Sequence, residues 1–151
     1  YRNWAHYQAG FGRLDKNFWM GLERIHRLTS AEPYELAVEI DVFGEYKYAR
    51  YSSFAVGSEV EKYVLKEVGN YSGTAKDALT VQRGRAFSTF DEDYDLDENK
   101  NCAIRMAGGW WFVNSCSGCS LNSNYDGSAP RMQWIYGQIT YSRMMIRKTL
   151  L

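Results

Sequence analysis

The chain has no uninterrupted apolar stretch approaching the roughly 20 residues a membrane-spanning helix needs, so membrane insertion is not expected. It has no surplus charge: 18 Lys and Arg balance 18 Asp and Glu. That balance leaves no electrostatic footprint for nucleic acid or for an anionic membrane surface. It has two prolines, Pro33 and Pro130, and no repeat, linker or low-complexity tract, so its 151 residues are expected to form a single unit. It has two histidines, His6 and His26, and no nucleophile-elbow motif. Hydrolytic triad chemistry is excluded on that ground, and a non-enzyme is expected. His26 is read as a structural helix residue. Three cysteines cannot build a four-cysteine zinc site.

What the chain does contain is concentrated between Thr89 and Cys116. Asp91, Glu92, Asp93, Asp95, Asp97 and Glu98 crowd into one short run. Such a charge density persists in a folded loop only if solvent screens it or a cation neutralises it. The EF-hand pattern fails on this run, because the position that needs Gly is Leu96 and the position that needs a bidentate Glu is Cys102. Alternating carboxylates still suit calcium, which takes six to eight oxygen ligands. A solvated acidic turn is the alternative. Zinc is disfavoured, with no histidine near the loop.

Cys102 and Cys116 are spaced for a disulfide that closes a compact loop, which would place the chain in an oxidising compartment; two reduced core thiols are the other reading. Cys119 is left over. It implies an intermolecular bond, a free thiol or a partner outside this sequence. Asn70-Tyr71-Ser72 is a glycosylation sequon, compatible with secretion.

Asn3 caps a predicted helix over Trp4 to Ala9, stopped by Gly10, and apolar residues at 22, 25 and 28 predict a second helix over Leu22 to Leu28. From Tyr34 the period becomes two, with Leu36, Val38, Ile40 and Val42 alternating with Glu39 and Asp41. Gly44-Glu45 is read as the turn of a hairpin into Tyr46 to Tyr51. Further strands are expected over Tyr63 to Val68 and Ser142 to Arg147, and turn-rich loops over 69–84 and 118–130. The fold class is α+β, an antiparallel sheet with short helices and long C-terminal functional loops. Aromatics make up 16% of the residues, enough for either an aromatic core or a stacking surface for ligand.

The run Phe87-Ser88-Thr89 with Asp91, Asp93 and Asp95, then Asn101-Cys102-Ala103, Gly109-Trp110-Trp111 and a second Cys, resembles the fibrinogen C-terminal globular domain, or fibrinogen-related domain. Asn3-Trp4, Tyr7, Gly10-Phe11-Gly12, Glu23, Ile25 to Thr29, Tyr51, Phe54 and Val56 agree with it. The resemblance spans almost the whole chain. It implies calcium held by the side chains of Asp93 and Asp95 and the carbonyls of Asp97 and Asn99, with Glu92 and Glu98 as solvated charges. It implies a Cys102–Cys116 disulfide and a cis bond at Ser115-Cys116 beside the ligand pocket.

Sugar-binding members carry a His after the second cysteine and an aromatic four residues after the first; here those positions are Ser117 and Met106. The pocket positions implied are Met106, Ser115, Cys116, Ser117, Tyr125, Trp134 and Tyr136, the aromatics having core burial as their alternative use. The resemblance also implies residues 1–151 as one domain without its N-terminal subdomain. The expected function is a secreted, calcium-binding, lectin-like protein of innate immunity, a homo-oligomer that binds microbial surface glycans or acetylated groups. The alternative is a module of the angiopoietin-like type that binds a protein receptor.

Overall fold

A computed structural model describes residues 1–124, 128–130, 132–135 and 137–150. Helix α1 (Trp4–Ala9) starts where the Asn3 side chain accepts the His6 N–H at 3.0 Å. It ends at Gly10, whose φ of 92° favours glycine and whose Cα lies too near the Trp19 and Met20 carbonyls for a side chain. A short ribbon follows, β1 (Phe11–Gly12) against β2 (Phe18–Trp19).

Helix α2 (Leu22–Ala31) runs three residues past its predicted end and stops before Pro33, which forces Glu32 into an extended conformation. Its buried stripe is Leu22, Ile25 and Thr29, whereas Leu28 is 39% exposed. Thr29 belongs to that stripe because its hydroxyl donates to the Ile25 carbonyl and accepts the Val56 N–H. One polar side chain thus ties the helix to the next layer.

Strands β3 (Tyr34–Val42) and β4 (Glu45–Tyr51) form the predicted hairpin. The turn is Phe43-Gly44, one residue earlier than expected, with φ of 53° and 83°. Two successive positive φ values match the twist of a two-residue hairpin, and the Asp41 carboxylate secures the turn by accepting the Gly44 N–H at 2.7 Å. Alternation along β3 holds throughout: Leu36, Val38, Ile40 and Val42 are buried, and Glu35, Glu39 and Asp41 lie on the other face.

Strands β5 (Phe54–Val56) and β6 (Leu65–Val68) make a separate two-stranded sheet. The predicted start at Tyr63 is displaced because Lys62 and Tyr63 both have left-handed φ. Strand β7 (Tyr71–Gly73) adds to β4 from within a segment expected to be loop.

The 3-10 turn η1 (Thr80–Gln82), helix α3 (Cys102–Met106), and strands β8 (Gln133–Trp134) and β9 (Gly137–Gln138) are the only named elements between β7 and the last strand among the described residues. Strand β10 (Tyr141–Lys148) then pairs with β3, giving the antiparallel order β10-β3-β4-β7.

Much of the aromatic content is core. Trp110, Trp111, Trp134, Tyr51, Tyr63, Phe87 and Phe112 are the largest fully buried side chains. An indole or phenol buried this deeply needs a polar partner. Trp19 Nε1 donates to the Tyr7 carbonyl, Trp111 Nε1 to the Tyr63 carbonyl and Trp110 Nε1 to Gln82. These bonds let the long C-terminal loops pack on the sheet and helices without regular secondary structure of their own.

Candidate functional site

The acidic run is an ordered loop built by its own carboxylates. Asp93 accepts the Asp95 N–H, Asp95 the Asp97 N–H, and Asp97 the Asn99 N–H, at 3.2, 2.9 and 3.0 Å. Each is an Asx turn, the local bond that short acidic side chains form readily. Three in succession coil the backbone so that Asp93 and Asp95 come together. The second oxygen of Asp95 accepts the Cys102 N–H at 2.9 Å, fastening the loop to the start of α3. Asn101 caps that helix through the Ile104 N–H and reaches back to the Phe90 carbonyl.

The six carboxylates divide by role. Asp91 is structural: one oxygen accepts both the Trp4 N–H at 2.9 Å and the Thr89 hydroxyl at 2.7 Å, so it sits at the first turn of α1, where a negative charge is favourable. Glu92, read from sequence as solvated, accepts the Tyr94 hydroxyl at 2.6 Å and is only partly exposed. Glu98 is exposed as expected. Asp93 is held above the usual carboxylate range, first by partial burial, then by a hydrogen bond shared with the Asp95 carboxyl and by repulsion from Asp95 and Asp97.

Two neighbouring carboxylates offer hard oxygen donors of the kind that suit calcium. Each bonded carboxylate oxygen keeps a second lone pair for an ion. Asp97 also approaches the sulfurs of Cys102 and Cys116. Those sulfurs are in a disulfide, which removes them as thiolate ligands.

Cys102 and Cys116 are bridged across 14 positions with a Cα separation of 5.2 Å. The expected cis bond at Ser115-Cys116 is absent; among the described residues the cis bond is Ala129-Pro130. The turn closes instead through the left-handed φ of 58° at Cys116 and the bond from its N–H to the Val113 carbonyl. Replacing both cysteines with serine is expected to cost about 3 kcal/mol, the loop-closure value for this span. Urea denaturation at fixed calcium measures it, and an unchanged midpoint would show that the loops hold without the bridge.

The pocket positions separate. Ser115 and Ser117 are exposed with their hydroxyls 2.6 Å apart, flanking buried Cys116 on the rim of the bridged loop. Met106 is 5% exposed and Trp134 1% exposed, so neither side chain offers contact surface. Met106 lies on the inner face of α3. Trp134 is a core residue whose indole N–H reaches the carbonyls of Ala75 and Lys76. Tyr125 and Tyr136 lie outside the described residues.

Cys119 is a buried free thiol, 1% exposed, which burial pushes well above the usual thiol range. Of its three readings, an intermolecular bond does not fit that burial. Sequence reasoning missed Gln82, which is 1% exposed, accepts from Trp110 at 2.8 Å and donates to the Cys119 carbonyl at 2.9 Å. A lone Gln in a loop carries no periodic signal that could have revealed this joint.

The family model for the C-terminal globular domain of fibrinogen beta and gamma chains matches residues 1–145. Fibrinogen-like protein A of Apostichopus parvimensis is 40% identical over 97% of this chain and 55% of its own length. Ficolin-3 of Homo sapiens is 42% identical over 83% of this chain and 42% of its own. The chain thus spans about half the length of these relatives.

The solved fibrinogen-like globe domain of human ANGPTL2 superposes with a TM-score of 0.90 at 36% identity, covering 99% of this chain and 74% of that one. Its agreement extends to the antiparallel sheet and the few short helices. The chain belongs to the fibrinogen C-terminal globular domain family.

Proposed function

We propose that this domain is an extracellular, calcium-stabilised recognition module of lectin type, which takes acetylated or glycan groups of microbial surfaces on the rim formed by Ser115 to Gly118. Domains of this family are non-enzymatic binding modules. The observation that carries the reading is the exposed Ser115–Ser117 hydroxyl pair on a turn pinned by the disulfide, joined through Cys102 to the Asp95 carboxylate.

Calcium has a structural part in this reading. Held by the side chains of Asp93 and Asp95 and the carbonyls of Asp97 and Asn99, it would keep the loop in shape beside the rim without touching the ligand. A disulfide and the similarity to extracellular relatives support secretion; among the described residues no helix is long and apolar enough to cross a membrane. With Met106 and Trp134 buried, the contact is shallow and weak for one copy. Homo-oligomers would supply avidity, because linked sites gain orders of magnitude without any new contact.

The likeness to the ANGPTL2 globe favours a second reading, a flat surface for a protein receptor. A glycan array run with and without chelator separates the two. Calcium-sensitive binding that Ser117→Tyr abolishes is the expected result. Silence across the array with saturable binding to a receptor ectodomain would replace the lectin reading with the second one.

A further inference from the structure

We propose that Asn70 is an N-glycosylation site and that its glycan stands over the outer face of the four-stranded sheet, at the β7 edge. The sequence Asn70-Tyr71-Ser72 supplies the acceptor pattern, but such triplets arise by chance and many are unusable in a folded protein. A bulky hydrated oligosaccharide requires an asparagine whose amide is free and faces solvent.

Asn70 meets that requirement because its main chain is committed and its side chain is not. Its N–H donates to Ser52 Oγ at 2.8 Å and its carbonyl accepts the Ser52 N–H at 3.0 Å. The turn before it is set by Gly69, where a Cβ would meet Ser52 Oγ at 2.4 Å and the Ser53 N at 2.5 Å. The backbone is thereby fixed against residues 52–53. Asn70 and Ser72 are both exposed, and neither side chain bonds another described residue.

Strand geometry fixes the direction. Tyr71 pairs with Tyr51, rests ring to ring with it at 5.8 Å and packs on the core. Alternation then turns Asn70 and Ser72 to the opposite face. Ser72 is registered with Arg50, Arg50 with Ala37 and Ala37 with Met145, a row on the outer face of the sheet. Strand β7 is an edge of that sheet. A glycan there covers an edge that would otherwise be open to pairing with another chain.

The transfer forms a bond from Asn70 Nδ2 to the anomeric carbon of a lipid-diphosphate-linked oligosaccharide and breaks the bond from that carbon to the diphosphate oxygen. The lipid diphosphate leaves with the electron pair, and Nδ2 gives one proton to a base of the transferase. This inference rests on the secretory reading above. The chain is secreted from a eukaryotic cell behind a signal peptide and its intact mass is taken before and after enzymatic deglycosylation.

The expected result is a single N-glycan whose removal converts Asn70 to Asp, lost in both N70Q and S72A and kept in S72T. Secreted protein with the Cys102–Cys116 bridge mapped and Asn70 unmodified would overturn the site while leaving the secretory reading intact. Unmodified Asn70 in a protein whose Cys102–Cys116 bridge also fails to form in that compartment would overturn both. S72T, with its acceptor hydroxyl preserved, guards against a folding defect being mistaken for loss of the site.

Discussion

Trp111→Ala is expected to lower the unfolding free energy by about 3 to 5 kcal/mol, which is much of what a domain of this size possesses. The side chain is fully buried and meets four other rings: Trp110 at 5.0 Å, Phe87 at 5.2 Å, Trp19 at 6.4 Å and Phe54 at 6.5 Å. Besides Trp110, its chain neighbour, those rings come from β2, β5 and the loop before the acidic run, so one truncation loosens three further parts of the fold. It also strips the Tyr63 carbonyl of the indole N–H that it accepts at 2.8 Å, and an orphaned buried acceptor adds its own penalty. Trp111→Phe keeps most of the ring contact and loses the N–H, so its cost should be clearly smaller. Guanidinium denaturation of both variants at fixed calcium measures the difference. A Trp111→Ala protein within about 1 kcal/mol of the parent would mean that the surrounding rings collapse into the space, contrary to the packing described.

Legibility followed periodicity. Helix α1 was readable to the residue, because Asn3 and Gly10 are local signals at both ends, and β3 was readable because one face is buried at every second position. The β3–β4 turn was misplaced by one residue, since Gly44 pointed to a turn without showing that Phe43 also takes a positive φ. Strand β7 was missed: three residues in a glycine-rich stretch have no pattern of their own and become a strand only because β4 presents an edge.

At the candidate site the sequence marked the loop by charge and the bridge by spacing. It could not assign Asp91, which is defined by its contact with Trp4, 87 positions away. It could not see that Trp134 is held by Ala75 and Lys76 and so belongs to the core. Aromatic residues in loops are ambiguous until tertiary structure decides which side of them is wet.

Asp93→Asn and Asp95→Asn are each expected to weaken calcium binding by at least about tenfold, a loss that even outer-shell partners of a metal can cause. Without calcium the two should differ. Asp93 is already held against ionisation by partial desolvation, by a hydrogen bond to the Asp95 carboxyl and by repulsion from its neighbours, so a neutral amide there should leave ion-free stability unchanged or slightly improved. Asp95 anchors the N–H groups of Asp97 and Cys102 at once, so weakening its acceptor should cost about 1 kcal/mol even with no ion present.

The pH dependence follows the same chemistry. The Asp93 proton is held more tightly folded than unfolded, so this group's contribution to ion-free stability is fully present below the ordinary carboxylate pKa and is lost as pH rises through the raised value. Calcium needs both carboxylates ionised, so its affinity should fall on acidification through that same window. At a calcium concentration 100 times Kd the ion should add about 2.7 kcal/mol at neutral pH, and little once Asp93 is protonated. Calorimetric titration at neutral and acid pH, with thermal melts in chelator, reads each quantity. Parent-like affinity in both variants would move the cation elsewhere and leave the loop as Asx turns that need no ion.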